Sequence, residues 1–179
     1  SLEMLKTEDT PLKEKAIKSV YKSVNLIERI RELENAIPSG RETKKYNLKD
    51  VIEDISNEYK NIKFNISGNC NVLADSALIY VIENIVRNAS IHGKTERIDF
   101  DLSQSENKCI LKISDFGIGI PDSIKDKIFD EGFSYGENLS SGLGLFIAKK
   151  TIERYGGEIH YEKNEPKGAV FVMTLNKVG

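Results

Sequence analysis

Asn84 and Asn88 stand four residues apart, one helical turn, so a helix would carry both amides on one face. Asparagine oxygens are ligands that a hard cation such as Mg2+ accepts beside phosphate oxygens and water. Further along, "DFGIG" places Asp115 ahead of Gly117 and Gly119. A carboxylate at a strand end can accept a hydrogen bond from an exocyclic amine, and paired glycines let the backbone curl around a flat base. Gly142 and Gly144 then open an apolar-periodic run, where free N–H groups at a helix start can cradle phosphates. Singly, each Asn is more often a solvated helix residue and each G-x-G merely a turn. As an ordered set they outline a nucleotide and its cation.

Two better-known nucleotide patterns do not fit. The letters DFG mark a magnesium-binding Asp in eukaryotic-type protein kinases, which also need an early glycine-rich loop, a strand Lys and an HRD-type loop. The two histidines, His92 and His160, precede no Arg-Asp, and no G-x-G-x-x-G lies upstream. A dinucleotide fingerprint fails because "DFGIGIPD" leaves a strand for a loop containing Pro121, not for a helix opening on a third glycine.

The elements that must position these residues follow from periodicity. The chain has 179 residues, 39% hydrophobic and 30% charged, with a net charge of −2. This suits one well-buried domain with a small appendage and supplies no basic field for nucleic acid. No apolar run spans a bilayer, so membrane contact would come only through regions outside this chain, and a cytoplasmic setting is expected. Cys70 and Cys109 sit in no metal or redox spacing and are expected as buried thiols of a reducing compartment. Apolar residues from Leu12 to Ile37 recur in steps of three and four, predicting one amphipathic helix over 10–37, ended by "PSG". Asn47 should cap a second helix, and "IKFNIS" should form a strand. A long helix should run from a cap at Asp75 to a stop at Gly93. "RIDFDLSQ" and "KCILKIS" read as a hairpin, and residues 116–142 as a lid with a short helical piece. A helix over 145–155 and two closing strands, "EIHYEK" and "GAVFVMTL", complete the chain. This order predicts an α+β, two-layer sandwich with helices on one face of a mixed sheet.

The set resembles the ATP-binding domain of sensor histidine kinases. That domain has the Bergerat-type fold shared with gyrase-type topoisomerases, heat-shock chaperones and mismatch-repair ATPases. "ENIVRNASIHG" is similar to the N box, "DFGIGI" to the G1 box, "IFDEGFS" to the F box and "SGLGLFIAKK" to the G2 box. The resemblance covers about residues 44–176. It implies that 41–179 is the catalytic domain and 1–40 the second helix of a dimerisation hairpin. It implies a protein-histidine kinase fragment whose substrate is ATP and whose cofactor is Mg2+. The γ-phosphoryl group would go to a His on an upstream helix, in the same protein or its dimer mate, and a response regulator would be a further partner. Asn88 would ligate Mg2+, Asn84 would lie near the phosphates, and His92 would match a phosphate-contacting position. Asp115 would bind the adenine amine, with Gly117, Gly119 and Ile120 shaping that pocket. Gly142, Leu143, Gly144 and Leu145 would wrap the phosphates, and Phe129 and Phe133 would anchor the lid.

The departures from the family pattern are chemical. A Lys or Arg often follows the magnesium Asn by three residues; Ile91 stands here, leaving Arg87 or His92 to supply charge. The lid cation is replaced at Gly136, with Lys149 and Lys150 as expected substitutes, and Ala169 replaces a customary Thr. Gyrase-type hydrolases place a water-activating Glu where Asn84 stands. The candidate base here, Glu83, is turned about a quarter of the helix away, so hydrolysis should be slow. Neither His follows the phosphoacceptor pattern. Two alternatives remain: a regulatory ATP-binding module without kinase activity, and an anti-sigma-type serine kinase.

Overall fold

The computed structural model describes residues 42–135 and 142–179, together with Leu12, Lys13, Lys15, Ala16, Ile17, Ser19, Val20, Ser23 and Ile27, which are helical. The rest of the expected 10–37 helix, its "PSG" stop and the lid position Gly136 lie outside the described residues.

Local chemistry starts the helix after Asn47 where the pattern expected. Strand β1 (Lys44–Asn47) ends on Asn47, whose side chain accepts the Lys49 and Asp50 N–H groups and so caps α1 (Leu48–Ser56). Then come β2 (Lys63–Gly68), β3 (Asn71–Ala74), α2 (Ala77–Ile91), β4 (Arg97–Gln104) and β5 (Lys108–Asp115). After a single 3-10 turn (Lys125–Lys127) the chain forms α3 (Gly144–Arg154), β6 (Glu158–Lys163) and β7 (Ala169–Asn176). The main sheet has the order β2-β4-β5-β7-β6, with β2 parallel to β4 and the other pairs antiparallel. Strands β1 and β3 were not expected. Each is four residues long, and the two pair in a separate two-stranded sheet, too short for alternation to reveal them.

Strand parity builds the core. Ile98, Phe100 and Leu102 of β4, Leu111 and Ile113 of β5, and Phe171, Met173 and Leu175 of β7 are buried with Leu48 and Ile52 of α1, Leu78, Ile82 and Ile85 of α2, and Ala148 and Ile152 of α3. Their alternates Asp101 and Lys112 are exposed. The expected two-layer sandwich is therefore the fold. Asp115 shares the parity of Ile113, so its carboxylate turns toward the helix layer.

One local expectation needs correction. Cys70 and Cys109 are buried but not thiols. They form a disulfide between the β2–β3 turn and β5, with Cα atoms 6.0 Å apart; at a sequence separation of 39, nothing local signals the pairing. The expected stop of α2 holds: the helix ends at Ile91 with His92 as its C-cap, just before Gly93, and the left-handed residue that follows is Lys94, at φ 50°. Gly93 is also a contact point: its carbonyl accepts the Ile118 N–H at 2.9 Å. Among the described residues, no helix is long and apolar enough to cross a membrane.

Helices α2 and α3 pack antiparallel and are tied at one end by charge. Asp75, 3% exposed, accepts the Ala77 N–H at 2.9 Å as the expected cap. It also receives Arg154 through Nη1 at 2.6 Å and Nη2 at 3.2 Å, and the Tyr155 hydroxyl. Burial alone would raise its pKa, but the Arg154, Tyr155 and Ala77 donors prevail and hold the carboxyl at about 2. Burial, then the Asp75 carboxylate, pushes the Tyr155 hydroxyl up. A depressed carboxyl adds stability that is present above its ordinary value of 3.8 and lost as pH falls toward 2. Urea denaturation at a series of pH values should show Asp75→Ala losing about 2 kcal/mol at neutral pH. The same variant should lack most of the acid-dependent decline in that window.

Candidate functional site

A cavity of about 740 Å3 opens between the C-terminal half of α2, the loop after β5, the start of α3 and the β6–β7 hairpin. Of the residues expected at the site, Asn84, Asn88, His92, Gly119, Ile120, Phe133, Gly142, Gly144 and Leu145 line it. Gly117, Leu143 and Asp115 are not on its wall.

Asn84 is the strongest chemical signal. It is 3% exposed, and neither its amide nitrogen nor its oxygen has a hydrogen-bond partner among the described residues. Such orphaned groups cost about 1–3 kcal/mol, and the cavity is the side from which a partner can come. Gly144, at the first turn of α3, makes this possible: a Cβ there would fall 2.4 Å from Asn84 Oδ1. Helix α3 begins with no side-chain cap, so its first turn leaves N–H groups to be satisfied by a ligand. Asn88, one turn on, is half-buried on the wall, and His92 follows at the end of α2, where burial and then the Arg87 charge lower its pKa. A neutral His92 is therefore favoured over the dipole-stabilised cation expected at a helix C-terminus.

Asp115 lies just beneath the wall, 5% exposed. Burial pushes its carboxyl up, opposed by the N–H groups of Gly117, at 2.9 Å, and Ala169. Ala169 thus reaches the carboxylate through its backbone although the customary Thr hydroxyl is missing. Thr95, which no motif flagged, accepts the Phe116 N–H on Oγ1 at 3.1 Å.

Charge is placed differently from expectation. Ile91 is on the wall and 49% exposed. Arg87, Lys94, Lys163 and Lys167 surround it as wall cations, and of these only Arg87 had been anticipated. Lys149 and Lys150 do not serve: one lies over the Phe129 ring, the other bonds Glu153 at 2.8 Å, and neither lines the cavity. Glu83 is also off the wall. Its charge is felt by Tyr59 instead, whose hydroxyl is raised first by burial and then by Glu83. Among the described residues the wall's one acidic side chain is Asp122, exposed and paired with Lys125. The lid base is already packed: Ile128 is buried and Phe129 meets Phe171 edge-on at 6.3 Å.

Residues 74–179 match the family described as histidine kinase-, DNA gyrase B- and HSP90-like ATPase. The chain belongs to this ATPase family. The sensor protein CitS of Halalkalibacterium halodurans is 36% identical over 107 residues, 56% of this chain and 20% of that protein. The sensor protein KdpD of Clostridium acetobutylicum is 28% identical over 191 residues, 94% of this chain and 21% of that protein. The chain thus spans about a fifth of the length of these relatives. The solved catalytic domain of histidine kinase ThkA superposes with a TM-score of 0.67 at 29% identity, covering 76% of this chain and 97% of that one. ThkA in complex with response regulator protein TrrA gives 0.71 at 25% identity, covering 92% and 51%. For a member of this ATPase family, ATP is the nucleotide that such a cavity takes.

Two substitutions separate binding from folding. In Asp115→Asn, the two backbone donors occupy the single amide oxygen and leave an NH2 group where the carboxylate offered an acceptor. Adenine nucleotide affinity should fall about tenfold in calorimetric titration, while removal of a buried charge leaves the fold at least as stable. Ile91→Lys adds a partly exposed cation at the wall. It should tighten ATP by on the order of 1 kcal/mol, with the gain shrinking as salt rises.

Proposed function

We propose that this chain is the ATP-binding catalytic part of a sensor histidine kinase, transferring the γ-phosphoryl group to a His on an upstream helix. One observation carries the reading: the buried, unpartnered side chain beside the first turn of α3 is an amide, Asn84, where a hydrolase of this family needs a carboxylate. An amide can hydrogen-bond phosphate oxygens but cannot take a proton from water. With Glu83 directed away, water is not activated and the γ-phosphoryl group is kept for a protein nucleophile.

The wall residues fit Mg2+ in one specific way. The described residues hold no cluster of three His, Cys, Asp or Glu side chains, so they form no all-protein cage. The Asn88 amide oxygen would share the ion with phosphate oxygens and water, and the ion would neutralise charge on the transferring phosphoryl group. Asp115 would read the adenine amine, the first turn of α3 would hold the phosphates, and Arg87 and Lys94 would offset their charge.

Residues 1–40 are proposed as the second helix of a dimerisation hairpin. Leu12, Ile17, Val20 and Ile27 are helical and 47–75% exposed, an apolar surface that suits a second helix. A homodimer, a response regulator and a cytoplasmic setting, where ATP is at hand, complete the proposal.

Incubated alone with γ-labelled ATP, the chain should not label itself, since His92 sits in the nucleotide cavity and His160 bonds Glu162 at an exposed strand position. With the upstream hairpin helix added in trans, label should appear on a histidine of that helix. Rapid ATP hydrolysis that disappears in Glu83→Ala would overturn the kinase reading and make the domain a hydrolase.

A further inference from the structure

Asp115 is gripped from outside its own motif. Asn164, the residue after β6, donates from Nδ2 to the Asp115 main-chain carbonyl at 2.7 Å. Its Oδ1 accepts the Glu165 N–H at 2.9 Å. With the oxygen committed to that N–H, the NH2 group is the end presented to Asp115. Gly168, across the same hairpin, has a φ of 115°, and a Cβ there would fall 2.0 Å from the Asp115 carbonyl oxygen. Ala169, the next residue, gives its N–H to the Asp115 carboxylate. One hairpin thus holds both the main-chain oxygen and the side chain of Asp115, while Thr95 holds the following N–H from the opposite side.

We propose that Asn164 is a positioning residue for the base-reading carboxylate, setting how strongly the site distinguishes a 6-aminopurine from a purine without the amine. The inference rests on the ATP reading above and adds a residue outside every motif that enforces it. The Asp115 carbonyl belongs to the peptide that leads into Phe116. Fixing that peptide fixes where the carboxylate points, and a hydrogen bond to an amine weakens steeply with misdirection. Discrimination by a buried acceptor that an amine-free ligand leaves unsatisfied is lost once the acceptor turns away.

The test is calorimetric titration of the whole chain with ATP and with purine riboside 5′-triphosphate, which lacks the exocyclic amine. Wild type, Asn164→Ala and Asn164→Asp are compared, with thermal melts to verify folding. Asn164→Asp keeps the oxygen that Glu165 needs but replaces the donor with a charged acceptor, and Asn164→Ala removes the donor without adding charge. Both variants should bind ATP about five- to tenfold more weakly and bind the amine-free triphosphate within about twofold of wild type, so their base preference collapses. Wild-type ATP affinity in Asn164→Asp would overturn the proposal, because Asn164 would then serve only its own hairpin. Equal weakening of both triphosphates, or loss of the melting transition in both variants, would overturn it by making the role structural. A wild-type chain that binds neither triphosphate, or both equally, would show that the ATP reading or the role of Asp115 had failed before any variant was considered.

Discussion

Everything at the site depends on how closely α2 and α3 approach. At the cavity end Gly144 leaves no Cβ between the α3 backbone and the Asn84 amide. About three helical turns away, Asp75, Arg154 and Tyr155 tie the opposite ends together. Between these points α3 presents the small buried residues Ala148 and Thr151, so the helices can stay near along their length. A bulkier residue at 144 would lift the start of α3, and with it the first turn that borders the cavity. The clamp has no chemical role in the cavity, yet it sets the angle at which that turn arrives.

The second constraint comes from the sheet. Side chains alternate along β5, so the last inward position is filled by a carboxylate rather than by another apolar residue. Burial disfavours its charge, and the backbone N–H groups of Gly117 and Ala169 offset this only in part. Such an acceptor is already stripped of water before a ligand amine arrives. Its orientation comes from three separate segments: its own loop, the exit of α2 and the β6–β7 hairpin. Preorganised dipoles of this kind cost no reorganisation when the ligand binds.

What the sequence revealed divides along physical lines. Periodicity and caps are local, so α1 with its Asn47 cap, α2 and the β4–β5 hairpin were legible, as was the two-layer fold. The motif residues of α2 and the loop after β5 were legible because glycine spacing and the Asn pair are short-range signals. Contacts between distant segments were not. Asn164 lies 49 residues from Asp115, Arg154 lies 79 from Asp75, and each is an ordinary surface residue type in its own neighbourhood. The cations failed for a related reason: Lys149 and Lys150 end the G2 motif in sequence, but the helix turns them to Phe129 and Glu153. Lys163 and Lys167 reach the wall from the far side of the chain.

Asn84 links these constraints to chemistry. Without a ligand its amide is buried and unpaired, and this burden falls on the same contact that holds α3 in place. A ligand that supplies acceptors and donors there removes the burden, so occupancy and helix packing are thermodynamically coupled. A carboxylate at this position would have a different balance. Facing phosphates it would repel them unless it was screened or protonated, and in exchange it could take a proton from water. The neutral amide gives up that chemistry and avoids the repulsion, at a wall whose cations at Lys94, Lys163 and Lys167 are too exposed to neutralise a nearby buried charge. With Ile91 supplying no cation of its own, an uncharged side chain is the one that lets a triphosphate settle against α3.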